Sequence, residues 1–174
     1  MDERSTEVDQ ISQKLEIQRS NYEWQLNCIS SADNKAGFLV TVNLVLFGFI
    51  LTQIDEFLPS HNILSTWSIV LLSFISLSTL LSLFFATRAI WPRFSDDINS
   101  IFYFISIRNR TRDQYNKEIE CIDPAAAIGD LNQQVWILSG IAQEKFQNIR
   151  NGIIVYGISI LFLILIYLSR FANG

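Results

Sequence analysis

Five cations sit where polar sequence meets long apolar runs: Lys35, Arg88, Arg93, Lys145 and Arg150, with Trp91 and Tyr103 near them. Guanidinium and ammonium groups beside aromatic rings suit a small anion with a stackable base, the phosphate held by the cations and the base by a ring. The same cations also suit a second role, as topology determinants touching lipid phosphates. Bond-breaking chemistry is not indicated. The single histidine, His61, has no nucleophile or carboxylate pair arranged around it and reads as a solvated loop residue. The sequence contains no Walker loop, HExxH or CxxC, and Cys28 and Cys121 read as reduced, inert thiols without metal-site spacing. A net charge of -4 argues against a nucleic-acid binder, which would present a basic face. The expectation is a binding protein with no enzymatic activity, catalytic residue, metal or cofactor.

The elements that position these residues are set by the apolar runs. From Ala32 to Ile54 the chain opens with Asp33 and Lys35 and then carries no ionisable side chain for about 19 residues. As a helix that run covers roughly 28 Å, the thickness of a bilayer's hydrocarbon core. Two further runs lack charge, Asn62 to Thr87 and Asn151 to Ser169, each long enough to cross. A hydrophobic content of 49% in 174 residues fits this clustering. The expected fold is an all-α membrane protein with three transmembrane helices, the first and third extended into the cytoplasm, and a small cytoplasmic helical region. The boundaries read as a cytoplasmic N-terminal helix at 1–35, transmembrane helices at 36–54, 62–87 and 151–169, and a cytoplasmic sensing and assembly region at 88–150. The polar first 35 residues do not read as a signal peptide.

Orientation follows from the cations. Arg4, Lys14, Arg19 and Lys35 precede the first span, and Arg88, Arg93, Arg108, Arg110, Arg112, Lys117, Lys145 and Arg150 lie between the second and third. The short link from Asp55 to His61 has Asp55, Glu56 and the helix breaker Pro59 but no cation. The positive-inside rule then places the N-terminus and residues 88–150 in the cytoplasm, with the 55–61 link and the C-terminus outside.

Ahead of the first span, Val8, Ile11, Leu15, Tyr22 and Ile29 recur at helical spacing, with Gln18 and Gln25 in the stripe. One helix from about Thr6 is expected to run into the span and pack on cytoplasmic helices. Asn43, about two turns into the span, is costly in lipid unless it bonds another helix or lines a pore. Asp33 is read with it as an interhelical polar group. The second span carries Ser65, Ser68, Ser73, Ser76, Ser78, Thr79 and Ser82, which suit close helix contacts and a homo-oligomer. Trp91-Pro92-Arg93 ends that helix at interface level. Ile98 to Ile107 is too short to span and reads as an interfacial segment, a cytoplasmic core element or a short strand. Asp123 and Pro124 are placed to start a helix of about 45 residues continuing through the third span. Interior glycines in it suit close packing in lipid.

Taken together, Asp33-Asn34-Lys35-Ala36-Gly37 with Asn43, Trp91-Pro92-Arg93-Phe94, and Gln133-Gln134, Leu138, Ser139, Lys145-Phe146 and Arg150 resemble the transmembrane, PycTM-like effectors of bacterial Pycsar anti-phage systems. That family shows a D-x-K-A entry to its first span, a Pro-Arg exit from its second, and a Q-x-x-x-L-S and K-[YF]-x-x-[LIV]-R pattern leading into its last. The likeness covers about residues 20 to 170. Trp91 departs from it, standing where Arg commonly precedes Pro-Arg and leaving one cation fewer at that turn. The resemblance implies that a partner cyclase makes a cyclic pyrimidine mononucleotide, cyclic CMP or cyclic UMP, on infection. The effector would sense it and impair the bacterial inner membrane, so that infection aborts. Lys35, Arg88, Trp91, Arg93, Tyr103, Lys145 and Arg150 are the candidate ligand contacts. The alternative is a small oligomeric membrane channel or scaffold with no nucleotide ligand.

Overall fold

The structure is a computed structural model that describes the backbone of residues 3–52, 63–93 and 100–173, with side chains at 9–52, 69–93, 100–169 and 171. The link at 55–61, with Asp55, Glu56, Pro59 and His61, lies outside the described residues, as do Phe94 and the start of the Ile98 to Ile107 segment. The described elements are α1 (Glu3–Thr52), α2 (Ile63–Ile90), α3 (Phe104–Arg108), α4 (Arg112–Cys121) and α5 (Pro124–Asn173), with no strand among these residues. Three of them, α1, α2 and α5, are long and apolar enough to cross a membrane. By internal contacts the chain forms two compact units, Met1–Ser30 with Pro92–Gln143, and Ser31–Trp91 with Glu144–Gly174.

The second unit holds the apolar parts of α1, α2 and α5, and its core follows a repeat of alternating three and four residues. On α1 the buried positions are Ala32, Ala36, Leu39, Asn43, Leu46 and Ile50; on α2 they are Leu72, Ile75, Thr79, Ser82, Ala86 and Ala89. On α5, Lys145, Ile149, Gly152, Ser159 and Ile166 keep the same phase. A repeat of 3.5 residues keeps a seam facing its neighbours only if helices wrap with left-handed supercoil, the packing of coiled coils and of most membrane bundles. One apolar cluster gathers Leu46, Ile50, Leu72, Ile75 and Ile166, backed by a stacked Phe74–Phe162 pair with centroids 5.6 Å apart. The second gathers Ala32, Ala36, Ala89 and Ile149 against Phe146, and its small residues bring the helices close.

The outer faces are apolar too, with Phe38, Val45, Leu77, Phe84, Ile153 and Leu161 all exposed. Only 28%, 33% and 17% of the most apolar windows of α1, α2 and α5 are buried, so most of their apolar surface is left for lipid. In water that much exposed apolar surface would drive aggregation; in a bilayer it costs nothing.

Gly152 is the glycine that close packing requires. A Cβ there would lie 2.8 Å from Leu39 Cδ2 and 3.4 Å from the Ser82 carbonyl oxygen. Gly140 and Gly157 have open space beside them, so the expectation that the α5 glycines serve close contact applies within this chain to Gly152.

In the first unit, the N-terminal part of α1 turns Ile11, Gln18, Tyr22, Gln25 and Ile29 to a half-buried face in the same three-four phase, while Leu15 stays exposed. The Ile98 to Ile107 segment is not a strand where described: it bends at Ile101 and Phe102 and enters α3. Its backbone is captured from α5. Asp130 Oδ2 accepts from Ser100 Oγ at 3.0 Å and from the Ile101 amide at 2.8 Å, and Ser100 Oγ accepts from the Phe102 amide. Arg110 donates to the Ser100 carbonyl and pairs with Glu118 of α4 at 2.7 Å. The α4 helix begins with a capping box, Thr111 Oγ1 accepting from the Gln114 amide while the Gln114 side chain accepts from the Thr111 amide. Asp123 stands just ahead of Pro124, and its carbonyl accepts the first bond of α5, from Ala127 at 3.0 Å.

Candidate functional site

The alanine-rich cluster of the second unit sets three cations at one level. Lys35 precedes buried Ala36, Arg88 precedes buried Ala89, and Arg150 follows buried Ile149, and all three cations are exposed. A residue next to a core position on a helix points about 100° away from the core direction, so these side chains leave the bundle sideways, one from each helix. Lys35 Nζ lies 5.1 Å from the centre of the Phe146 ring, within cation–π range. Trp91, one turn beyond Arg88, is 67% exposed.

Lys145 behaves differently. It is 4% exposed, and its ammonium donates to Asp33 Oδ1 of α1, whose side chain is 40% exposed. A buried ammonium without a carboxylate would carry a large desolvation penalty, so Asp33 makes this charge tolerable. As Asp33 also opens to the surface, an anion arriving there would compete with it for Lys145.

Deeper in the same unit is a polar node joining three helices. Asn43 Nδ2 donates to the Leu39 carbonyl at 2.8 Å and to Ser82 Oγ of α2 at 3.0 Å, and Ser82 Oγ donates to the Gly152 carbonyl of α5 at 2.9 Å. About one turn along α2, Ser159 Oγ donates to Ser78 Oγ at 2.7 Å. The exposed Ser73 instead bonds back to its own helix at the Ile69 carbonyl. Of the α2 serines, Ser78 and Ser82 thus bond to other helices of this chain, and the side chains of Ser65 and Ser68 lie outside the described residues.

The candidate ligand contacts divide between the units. Lys35, Arg88, Trp91, Lys145 and Arg150 belong to the second, where the alanine-rich layer sets Lys35, Arg88 and Arg150 at a common level. Arg93 and Tyr103 belong to the first. There Arg93 is half-buried, and the Tyr103 ring packs at 5.1 Å against Phe104.

A family model, that of the Pycsar effector protein domain, matches residues 21–170. The chain belongs to the Pycsar effector family. Comparison with curated proteins and with solved structures returns no match. As a Pycsar effector the protein acts in anti-phage defence, which implies a functional link to a cyclase and its cyclic nucleotide signal. The Pycsar match takes in the Asp33–Lys145 pair, the cation level and the Asn43 node, together with the apolar parts of α1, α2 and α5.

Sequence reasoning missed two features of this effector. Thr111-x-x-Gln114 is a capping-box signature legible in the sequence. The Asp130 clamp carries no local signal, because it depends on a partner element distant in the chain.

Proposed function

We propose that this Pycsar effector responds to a cyclic pyrimidine mononucleotide, cyclic CMP or cyclic UMP, made by a partner cyclase, and impairs the integrity of the bacterial inner membrane so that infection aborts. The observation that carries the reading is the family match over residues 21–170, which spans three apolar helices and a level of exposed cations on all three. A cyclic phosphodiester carries one negative charge, and one charge-assisted bond to it contributes about 1.5–3 kcal/mol, or roughly tenfold to a hundredfold in affinity. The N-terminus lies in the cytoplasm in this reading, where such a signal would arrive, because the cations concentrate on one side of the spans.

A thermal-shift titration of the detergent-solubilised protein with cyclic CMP, cyclic UMP, cyclic AMP and cyclic GMP tests the sensing step. One pyrimidine nucleotide should raise the melting midpoint. A flat response to all four would favour a channel or scaffold without a nucleotide ligand. The outward exposure of Lys35, Arg88 and Arg150 supports that second reading, since phospholipid phosphates would meet them there. Arg93→Ala should abolish cyclase-triggered toxicity with membrane insertion unchanged, and Arg93→Lys should restore it in part, keeping the charge but not the two-pronged grip. Mislocalised Arg93→Ala protein would mark the residue as a topology anchor instead.

A further inference from the structure

The polar groups at the centre of the three-helix core do not all satisfy one another. Asn43 uses both amide hydrogens, on Leu39 and Ser82, and Ser82 directs its hydroxyl hydrogen to Gly152. Asn43 Oδ1 and Thr79 Oγ1 have no partner among the described residues, although their residues are only 1% and 2% exposed. Thr79 is unlike Ser73, Ser78 and Thr87 of the same helix. Those three each donate to the carbonyl four residues back, the usual resolution for a hydroxyl in a membrane helix. Thr79 makes no such bond. It sits on the seam one turn from Ser82, the residue that Asn43 grips, and next to Ser78, which Ser159 grips.

One orphan needs a donor and the other needs an acceptor. A water placed to donate to Asn43 Oδ1 and accept from the Thr79 hydroxyl would satisfy both. We propose that Asn43 and Thr79 form an internal water site at the middle of the bundle, and that the polar column from Asn43 through Ser82, Thr79 and Ser78 to Ser159 is the seam along which water enters when the effector acts. The column runs between the alanine-rich cluster and the cluster around Ile75 and Ile166, so either apolar cluster is a dry plug that must part before water passes. The entry step rests on the reading that the effector impairs the membrane; the water site stands without it.

Thr79→Val is nearly isosteric and removes only the hydroxyl. If Thr79 holds a water, the substitution leaves Asn43 Oδ1 stranded and lowers the melting midpoint by a few degrees. If the hydroxyl is dry and unpaired, the substitution raises the midpoint and overturns the site. Water-edited solid-state NMR of the wild type in phosphatidylethanolamine–phosphatidylglycerol vesicles tests the site independently: polarisation should pass from bound water to Thr79 and Asn43, and its absence refutes the site. The entry step is tested by dye release from the same vesicles with cyclic CMP or cyclic UMP. Release by wild type and much slower release by Thr79→Val, with equal protein inserted, supports the seam. Equal release by both overturns the seam alone, and a wild type that releases no dye overturns the membrane reading and the seam together.

Discussion

At the scale of single residues, the buried ammonium of Lys145 is the most consequential charge in the membrane unit, because its stability depends on one carboxylate. Asp33→Asn leaves that ammonium without a counter-ion and should destabilise the protein by up to about 3 kcal/mol, the lower end for a buried pair because Asp33 is partly solvated. Adding Lys145→Met should recover most of the loss, and chemical denaturation of the single and double variants measures the coupling. Gly152 is the other sensitive position. Gly152→Ala places a methyl 2.8 Å from Leu39 Cδ2 and should cost about 1–3 kcal/mol through overpacking. In a Leu39→Ala background the cost of Gly152→Ala should shrink, and an undiminished cost in that double-mutant cycle would mean that the strain lies in the backbone contact with Ser82. Neither dependence is legible in the sequence, since Asp33 and Lys145 are 112 positions apart and Gly152 resembles glycines that have room to spare.

At the scale of elements, the long helices were readable and the short ones were not. Charge-free runs and the Asp123-Pro124 start signal α1, α2 and α5 because bilayer thickness and capping act locally on the sequence. Ile98 to Ile107 leaves three readings open in the sequence because its β-branched and aromatic residues also allow a strand locally, whereas its described backbone is fixed by Asp130, some 29 positions on. Asn43 announces itself, since an amide in an apolar run demands a partner. Thr79 does not, since a hydroxyl can satisfy itself on its own helix. The α4 capping box gives a direct test at this scale. Thr111→Ala should cost about 1 kcal/mol. It should also speed hydrogen exchange in the first turn of α4 while leaving exchange in α1 and α2 unchanged, and uniform acceleration across the chain would show that the cap holds more than its own helix.

For the molecule as a whole, the proposed orientation is open to direct labelling. An epitope at residue 60 should be reached from the periplasm and one at residue 115 only from the cytoplasm, and the reverse pattern would overturn the arrangement. A homo-oligomer is proposed because, among the described residues, one copy has three candidate spans, directs its polar seam inward and shows no polar outer face to line a wide pore. Native mass spectrometry in mild detergent should find multiples of the 20.0 kDa chain. A monomer both with and without nucleotide would count against assembly.

The node joining Asn43, Ser82 and Gly152 also bears on how the protein is made. Its first two members belong to neighbouring helices, but the third lies 70 residues beyond Ser82. At 5–20 residues per second, the ribosome needs about 4–14 s to reach it. During that interval a hairpin of α1 and α2 can join Asn43 to Ser82, while the Ser82 hydroxyl has no α5 carbonyl to receive it. The half-built protein therefore carries an incomplete polar centre in the bilayer, and the arrival of α5 closes it. A chain that stops short of Gly152 keeps that defect for its lifetime, so the bond that locks three helices also distinguishes finished copies from unfinished ones.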